Sequence, residues 1–410
     1  MRVLIIGGGL GGLALAAGLR SRDIDVTVYE RDTDLAATGG YHITLDPRAQ
    51  RALTDLLPDV AMRRIRASAA LAGRRDADVM WDWRGRQLAV LRGVVHPDAI
   101  DIDRITLRLI LAEVVGDDLR TGRTCLGIET EDAAVTASFD DGSTATGDIL
   151  VGADGAHSLV TRRLAGESPS HPTGLVGTSG RTRIDDLSAS ERGRLGTRSS
   201  FAIGPRGTAL YAGYLDPAGH AALDDPAESR AVTREPSFIW GAMFPETATT
   251  AGWRNLDGAR IRDASISLLH KRGWDRRTLE LLERTMPESV AVYRFNAAAS
   301  DPSLLAPWAP GRVTALGDAV HSTPPTAGMG AGIAIRDAEH LMRAVHEILG
   351  GRPLPEAIGD YEREMALRGA EAITLAMKTV RQVLSTDSAL GSALLRAVVP
   401  PMAAFQRLRR

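Results

Sequence analysis

The stretch "VLIIGGGLGGLALAAGL", residues 3 to 19, constrains the fold of this chain more than any other. It is almost purely apolar and glycine, and three readings compete for it. A secretory signal needs a basic start, an apolar core and a small-residue cleavage site. Here only Arg2 precedes the run, which continues without a break into "RSRDIDVTVYERD". A spanning helix needs about 20 apolar residues in a row, and clustered glycines favour a turn over a helix. The third reading follows the residue order. Val3 to Ile6 is a buried parallel strand, and Gly7, Gly9 and Gly12 supply G-x-G-x-x-G. Leu13 to Leu19 is a helix, and "DVTVYE" is a second strand that ends in Glu30, where the dinucleotide fingerprint expects an acid.

Each part has a physical reason. Gly7 permits the tight turn from strand to helix, Gly9 lets the backbone approach a pyrophosphate, and Gly12 lets the helix pack close to the strand. The helix N-terminus offers free N–H groups and the positive end of a dipole to phosphates. Glu30 can accept hydrogen bonds from the two hydroxyls of an adenosine ribose, and its charge disfavours a 2′-phosphate at this position.

The chain has 410 residues and a formal net charge of -2. It is long enough for two domains with large cores. The near-neutral balance gives no footprint for nucleic acid, and no membrane partner is expected. Cys125 is the single cysteine, so neither a disulfide framework nor a cysteine-based metal site is available. A lone thiol without a signal suggests a cytoplasmic protein, either a monomer or a homodimer.

Two later stretches extend the nucleotide reading. In "TATGDILVGADGAHSLVTRRLAG", 144 to 166, a strand over Asp148 to Gly152 leads to the turn pair Asp154-Gly155 and a helix over Ser158 to Leu164. This places a carboxylate at the carboxyl edge of the sheet, where ligands of open α/β sheets bind. In "RVTALGDAVHSTPPTAGMGAGIAIRDAEHL", 312 to 341, a strand over Val313 to Leu316 precedes Asp318. Pro324-Pro325 and Gly328-x-Gly330 form a stiff loop, and a helix starts near Gly330 or Ala331.

Taken together, these stretches resemble the class A flavoprotein monooxygenases, which share the fold of para-hydroxybenzoate hydroxylase. The family carries the fingerprint met here as Gly7/Gly9/Gly12 and the D-G pair met as Asp154-Gly155. Its late G-D motif is met as Gly317-Asp318 with His321, Pro325, Gly328 and Gly330. The resemblance covers about residues 1 to 345, and "GGYHITLD" and "PPTAGMG" are similar to its tetracycline-inactivating and polyketide-tailoring branch. It implies FAD as the resident dinucleotide, with NADPH or NADH as a transient co-substrate and O2 as the oxidant. The expected reaction is hydroxylation of a planar aromatic or polyketide-type small molecule through a flavin C4a-hydroperoxide. Epoxidation, Baeyer–Villiger insertion, or a dehydrogenase without oxygen insertion stand as alternatives.

The resemblance also assigns residues. Asp318 is expected at the ribityl chain and Asp154-Gly155 near the pyrophosphate. Arg104, on the helix that begins in "IDIDRITLRLIL", is expected at the FAD, with Arg108 as second choice. Leu10, Arg31, Gly317, Ala331 and Gly332 complete the cofactor set. Gly332 stands where the family usually has Asn, and "AATGGYH" lacks an arginine that many members carry there. No side chain is singled out as catalytic. Pro325, Gly328, Met329 and Gly330 form a flavin-facing loop whose helix start can stabilise charge, and His321 is read as a structural residue.

The expected fold is α/β, a Rossmann-like FAD-binding domain over 1-75, 98-168 and 285-350. A substrate domain on a mostly antiparallel sheet takes 76-97 and 169-284, and a helical segment 351-410. The runs "LVGTSGRTRID", "SSFAI", "TALYAGYLD" and "SFIWGAMF" read as its strands, and "DVMWDWRGRQLAVL" as a hairpin. Trp240 or Met243, with Arg183 and Pro324, are expected to line the substrate pocket. The basic end "AAFQRLRR" reads as a solvated amphipathic turn.

Overall fold

The computed structural model describes residues 1–37, 42–395 and 397. Its nucleotide-binding layer is a five-stranded parallel sheet in the spatial order 313–315, 149–152, 2–6, 25–30, 119–121. Val3, Leu4 and Ile5 are fully buried because helices cover one face of this sheet and a small antiparallel meander (125–130, 135–139, 144–147) covers the other. Burial on both faces explains why the strand is a continuous apolar run rather than an alternating one. The helix Leu10–Arg20 follows at once, and all of it except Arg20 is buried. It packs against the helix Gly330–Leu349 and against the helix Arg104–Val115.

The second layer is a seven-stranded, mostly antiparallel sheet in the order 291–297, 171–183, 237–245, 208–215, 200–204, 78–82, 87–91. The hairpin expected around Arg84-Gly85 forms its edge, with Gly85 at φ 73° in the left-handed region that the tight turn requires. One face of the sheet carries Phe238, Trp240, Ala242 and Phe244, which pack on the helices Gly258–Lys271 and Arg276–Glu283. A short three-stranded sheet (42–45, 70–71, 100–103) joins the two layers. The long helix Leu354–Ser385 spans from the nucleotide layer, through Ile358 and Met365, to the second sheet, through Val380 and Val383. The basic end "AAFQRLRR" lies outside the described residues, as do positions 38–41 of "AATGGYH".

Candidate active site

The glycine fingerprint is a tightly crossed pair of loops. Gly7 sits at φ 112°, and a Cβ there would lie 2.3 Å from the Ala153 carbonyl oxygen. A Cβ on Gly12 would lie 2.2 Å from the carbonyl oxygen of Gly7. Gly9 differs, because its nearest neighbour would be the Ala153 oxygen at 3.9 Å. The space in front of Gly9 is therefore open and lies at the start of the helix, as a pyrophosphate cradle requires. A Cβ on Gly9 would fill that cradle without touching the fold, so the residues present fit a bound dinucleotide.

Glu30 ends its strand beside this turn and is buried. Its carboxylate accepts from the Gly8 N–H at 2.7 Å and from the Asp32 N–H at 2.9 Å. Arg108 lies 3.0 Å from it and donates from Nε to the Gly8 carbonyl at 2.8 Å. Arg108, the second choice behind Arg104 for the FAD, is 3% exposed and staples the glycine turn to Glu30. Its signal was the one-turn spacing from Arg104 on a helix capped by Asp103, whose carboxylate accepts from the Ile105 and Thr106 N–H groups. Arg31, by contrast, is exposed and lies 3.5 Å from Asp32.

Asp154 caps the helix Leu159–Ala165, accepting from Ser158 Oγ at 2.5 Å and the Leu159 N–H at 2.7 Å. Burial raises its carboxyl pKa against those hydrogen bonds. The D-G pair thus presents backbone, with Gly155 at φ 76° and open space where a Cβ would stand.

The G-D motif lies alongside. Asp318 begins a one-turn helix, and its carboxylate comes within 3.8 Å of a Cβ built on Gly330. The side chain is accessible, but only within an interior cleft: surrounding protein raises its pKa, opposed by His321, the Thr323 backbone and Arg104. Arg104, Asp318 and Gly330 therefore converge, although they are far apart in the chain. His321 is fully buried with Nε2 2.5 Å from Asp337, which also accepts from the Gly317 N–H at 3.2 Å and from Arg368 at 3.2 Å. Burial works against a charged imidazole, but Asp337 outweighs it and raises the His321 pKa. His321 holds the loop to the helix Gly330–Leu349, which agrees with its reading as a structural residue. In that loop Pro324 is buried, while Pro325 and Gly328 are exposed and Met329, Gly330, Ala331 and Gly332 are half-buried.

Of the residues expected at the substrate pocket, Trp240, Met243 and Arg183 do not face one open surface. Trp240 is fully buried on the far face of the second sheet, where Nε1 donates to Thr285 Oγ1 at 2.6 Å. Arg183 is exposed and holds Asp186 at 2.9 Å. Met243 is on the near face but lies under Val380 and Val383. The partner register, which a single strand cannot show, decides what remains. One row across the near face reads Ser179, Gly241, Tyr211, Phe201, Met80. Gly241, Tyr211, Phe201 and Met80 are half-exposed, and a Cβ on Gly241 would meet nothing closer than 3.9 Å. Tyr293 and Ile203, in the next row, are half-exposed as well.

Both ends of this gap are covered by elements tied to the cofactor loops. At one end lies the helix Leu354–Ser385, whose Ala376 carbonyl accepts from Thr326 Oγ1 of the Pro325 turn at 2.8 Å. At the other, His42 lies against Gly213, with Nε2 3.1 Å from Tyr211 Oη. Burial lowers the His42 pKa and raises that of Tyr211, so both are neutral at pH 7. Arg181, in the row beyond, forms a buried ion pair with Asp103 that fastens the sheet to the arginine helix.

Other chemistries find little support. Burial pushes the Cys125 thiol up to about 11, which leaves it unreactive. Among the described residues there is no cluster that could hold a metal ion, and no helix is long and apolar enough to cross a membrane.

Comparison with known proteins agrees with this geometry. The chain matches the FAD binding domain family over residues 271–376 and the NAD(P)-binding Rossmann-like domain family over residues 5–47. It is 26% identical over 395 residues to the dual O-methyltransferase/FAD-dependent monooxygenase CTB3 of Cercospora beticola, covering 90% of this chain and 45% of that protein. The FAD-dependent urate hydroxylase of Mycolicibacterium vanbaalenii is 27% identical over 390 residues, covering 92% and 87%. A crystal structure from Photorhabdus luminescens, described as an FAD containing monooxygenase, superposes with TM-score 0.76 at 25% identity, covering 94% of this chain and 98% of that one. The chain spans about half the length of the first curated relatives it matches. Fold, motifs and relatives together make the chain similar to FAD-dependent monooxygenases.

Proposed function

We propose that this protein is an FAD-dependent monooxygenase that uses NAD(P)H and O2 to hydroxylate a planar aromatic small molecule. The observation that carries the reading is the uncovered row around Gly241. It is an aromatic-lined gap in the near face of the sheet, bounded at both ends by elements anchored to the Asp318 and Pro325 loops. A flat apolar ligand gains about 25 cal/mol per Å² of apolar area buried there. The similarity to a urate hydroxylase supports a planar ring as substrate.

Gly7, Gly9 and Gly12 would hold the FAD pyrophosphate, Glu30 stands at the adenosine ribose, and Asp318 with Arg104 would face the ribityl side. Bound FAD supplies hydride acceptance and oxygen activation. The chain's own residues position and shield. The start of the helix Gly330–Leu349 directs N–H groups and a positive dipole end into the cleft beside Asp318. Phe201, Tyr293 and the Pro325 turn displace water from the substrate side. Tyr211 Oη can exchange a proton with a substrate hydroxyl, because neutral His42 Nε2 at 3.1 Å can accept or return it. We further propose a soluble setting in the cytoplasm.

The test is direct. Purified protein should be yellow, acid should release FAD, and members of an aromatic panel should stimulate NAD(P)H oxidation in air with one oxygen atom gained in product. Stimulated oxidation that leaves every aromatic unchanged in mass counts against oxygen insertion, and a colourless protein counts against the cofactor.

A further inference from the structure

The fingerprint accounts for one dinucleotide, and its Glu30 disfavours a 2′-phosphate there. The reduced co-substrate needs a separate place to dock. A groove of about 410 Å³ opens between the helices Pro47–Leu56 and Gly330–Leu349, lined by Arg48, Arg51, Arg336 and Arg343 together with Thr54, Asp55, Glu339 and Ala52. Its lining has a single apolar residue, Ala52, so charge rather than apolar contact dominates it.

The charges in the groove are not balanced. Arg343 is spoken for: it lies 3.1 Å from Asp55 and also pairs with Glu339. Arg48, Arg51 and Arg336 make no ion pair or hydrogen bond among the described residues. Arg336 is half-buried, and both its burial and the like charges of Arg368 and Arg48 press on it, with Asp46 and Asp337 opposing. Three unpartnered guanidinium groups in one recess repel each other, and a multiply charged anion relieves that repulsion. Guanidinium forks match phosphate oxygens in geometry as well as charge.

The place of the groove also fits. Arg336 lies six residues along the helix from Gly330, about 9 Å at 1.5 Å per residue. Gly332 between them touches Ala49, since a Cβ there would lie 3.4 Å from the Ala49 Cβ. The groove is therefore set back from the Asp318 cleft by less than the length of an extended dinucleotide.

We propose that this groove binds the 2′-phosphate end of the reduced co-substrate, which makes the protein selective for NADPH over NADH. The proposal rests on the monooxygenase reading only in naming the carrier of the phosphate. Its test is separable from that reading. Adenosine 2′,5′-bisphosphate is titrated into the FAD-loaded protein by calorimetry, alongside inorganic phosphate and 5′-AMP. The same titration is made with Arg48→Gln, Arg51→Gln and Arg336→Gln; Arg48 and Arg51 are exposed, so their replacement leaves packing intact. The bisphosphate should bind tighter than 5′-AMP or phosphate, and each substitution should weaken it about tenfold, as loss of a charge-assisted phosphate contact implies. In turnover, the KM for NADPH should rise by a similar factor while the KM for NADH and the FAD content stay unchanged. Bisphosphate affinity that the three substitutions leave unaltered overturns the proposal. So does an equal loss for NADPH and NADH, or binding of inorganic phosphate as tight as the bisphosphate. If the protein oxidises neither nucleotide but binds the bisphosphate in an arginine-dependent way, the groove stands and the monooxygenase reading falls.

Discussion

The cofactor cradle and the sheet face opposite it are built in contrary ways. The cradle is built from backbone: a Cβ on Gly7 or Gly12 would run into carbonyl oxygens, and Gly9 faces open space. One buried ion pair, Glu30 with Arg108, locks the turn. The sheet face is built from side chains of strands far apart in sequence, around a glycine whose Cβ would have no neighbour closer than 3.9 Å. A backbone cradle leaves almost no room for substitution, so it presents one constant ligand. A wall of side chains can change residue by residue without disturbing the sheet, so it can be fitted to different substrates.

The comparison predicts a graded series of effects. The largest belongs to Gly12→Val. Its Cβ would lie 2.2 Å from the Gly7 oxygen, so the turn and helix cannot close, and expression should yield no folded, flavin-bearing protein. Folded yellow protein would show that the crossing is looser than drawn. Next is Arg108→Met, which leaves Glu30 buried without its cation. Breaking a buried pair costs about 3–5 kcal/mol, to be read by denaturant unfolding together with loss of FAD.

Asp318→Ala should be milder, because the carboxylate faces a cleft and supports no strand. A hydrogen bond to a charged group contributes about 1.5–3 kcal/mol, so FAD affinity should fall while the circular dichroism spectrum is preserved. Unchanged affinity would remove Asp318 from the cofactor side. The smallest effect belongs to Trp240→Phe. It forfeits the hydrogen bond to Thr285, about 1 kcal/mol of stability, and should leave KM and the ratio of product to NAD(P)H consumed at wild-type values. An altered ratio would mean that the far face reaches the substrate after all.

These differences also explain how far the sequence could be read. The cradle was legible because its parts are local: strand, glycines, helix and Glu30 occupy consecutive positions, and each glycine has its own steric reason. Asp318 and Gly330 were legible as a motif, although their approach to Arg104 needed the fold. The sheet face was not legible in the same way. Alternation along "SFIWGAMF" separates Trp240 and Phe244 from Gly241 and Met243, but it cannot say which set looks inward. Trp240 or Met243 is the expectation, whereas the structure puts the large rings on the helix-covered side, sets Met243 against Val380 and Val383, and leaves the glycine facing the gap. Tyr211 and His42 come together only through tertiary packing, and nothing in their local sequence marks them. Arg183 was misplaced because a neighbour three positions on, Asp186, neutralises it at the surface.

The central claim is that the ligand lies on the Gly241 row, across the cleft from the cofactor loops. Gly241→Val tests it most directly. Valine suits a strand, and the nearest atoms to the new Cβ, the Thr178 and Tyr293 oxygens, are both at 3.9 Å, so the fold and the FAD content should be unchanged. The branched side chain would occupy the gap. An aromatic ligand that perturbs the flavin absorbance of the wild-type protein should then bind at least about tenfold more weakly, the cost of a clash near 1.4 kcal/mol or more. Wild-type affinity in a fully flavin-loaded Gly241→Val protein would contradict the account and place the substrate elsewhere.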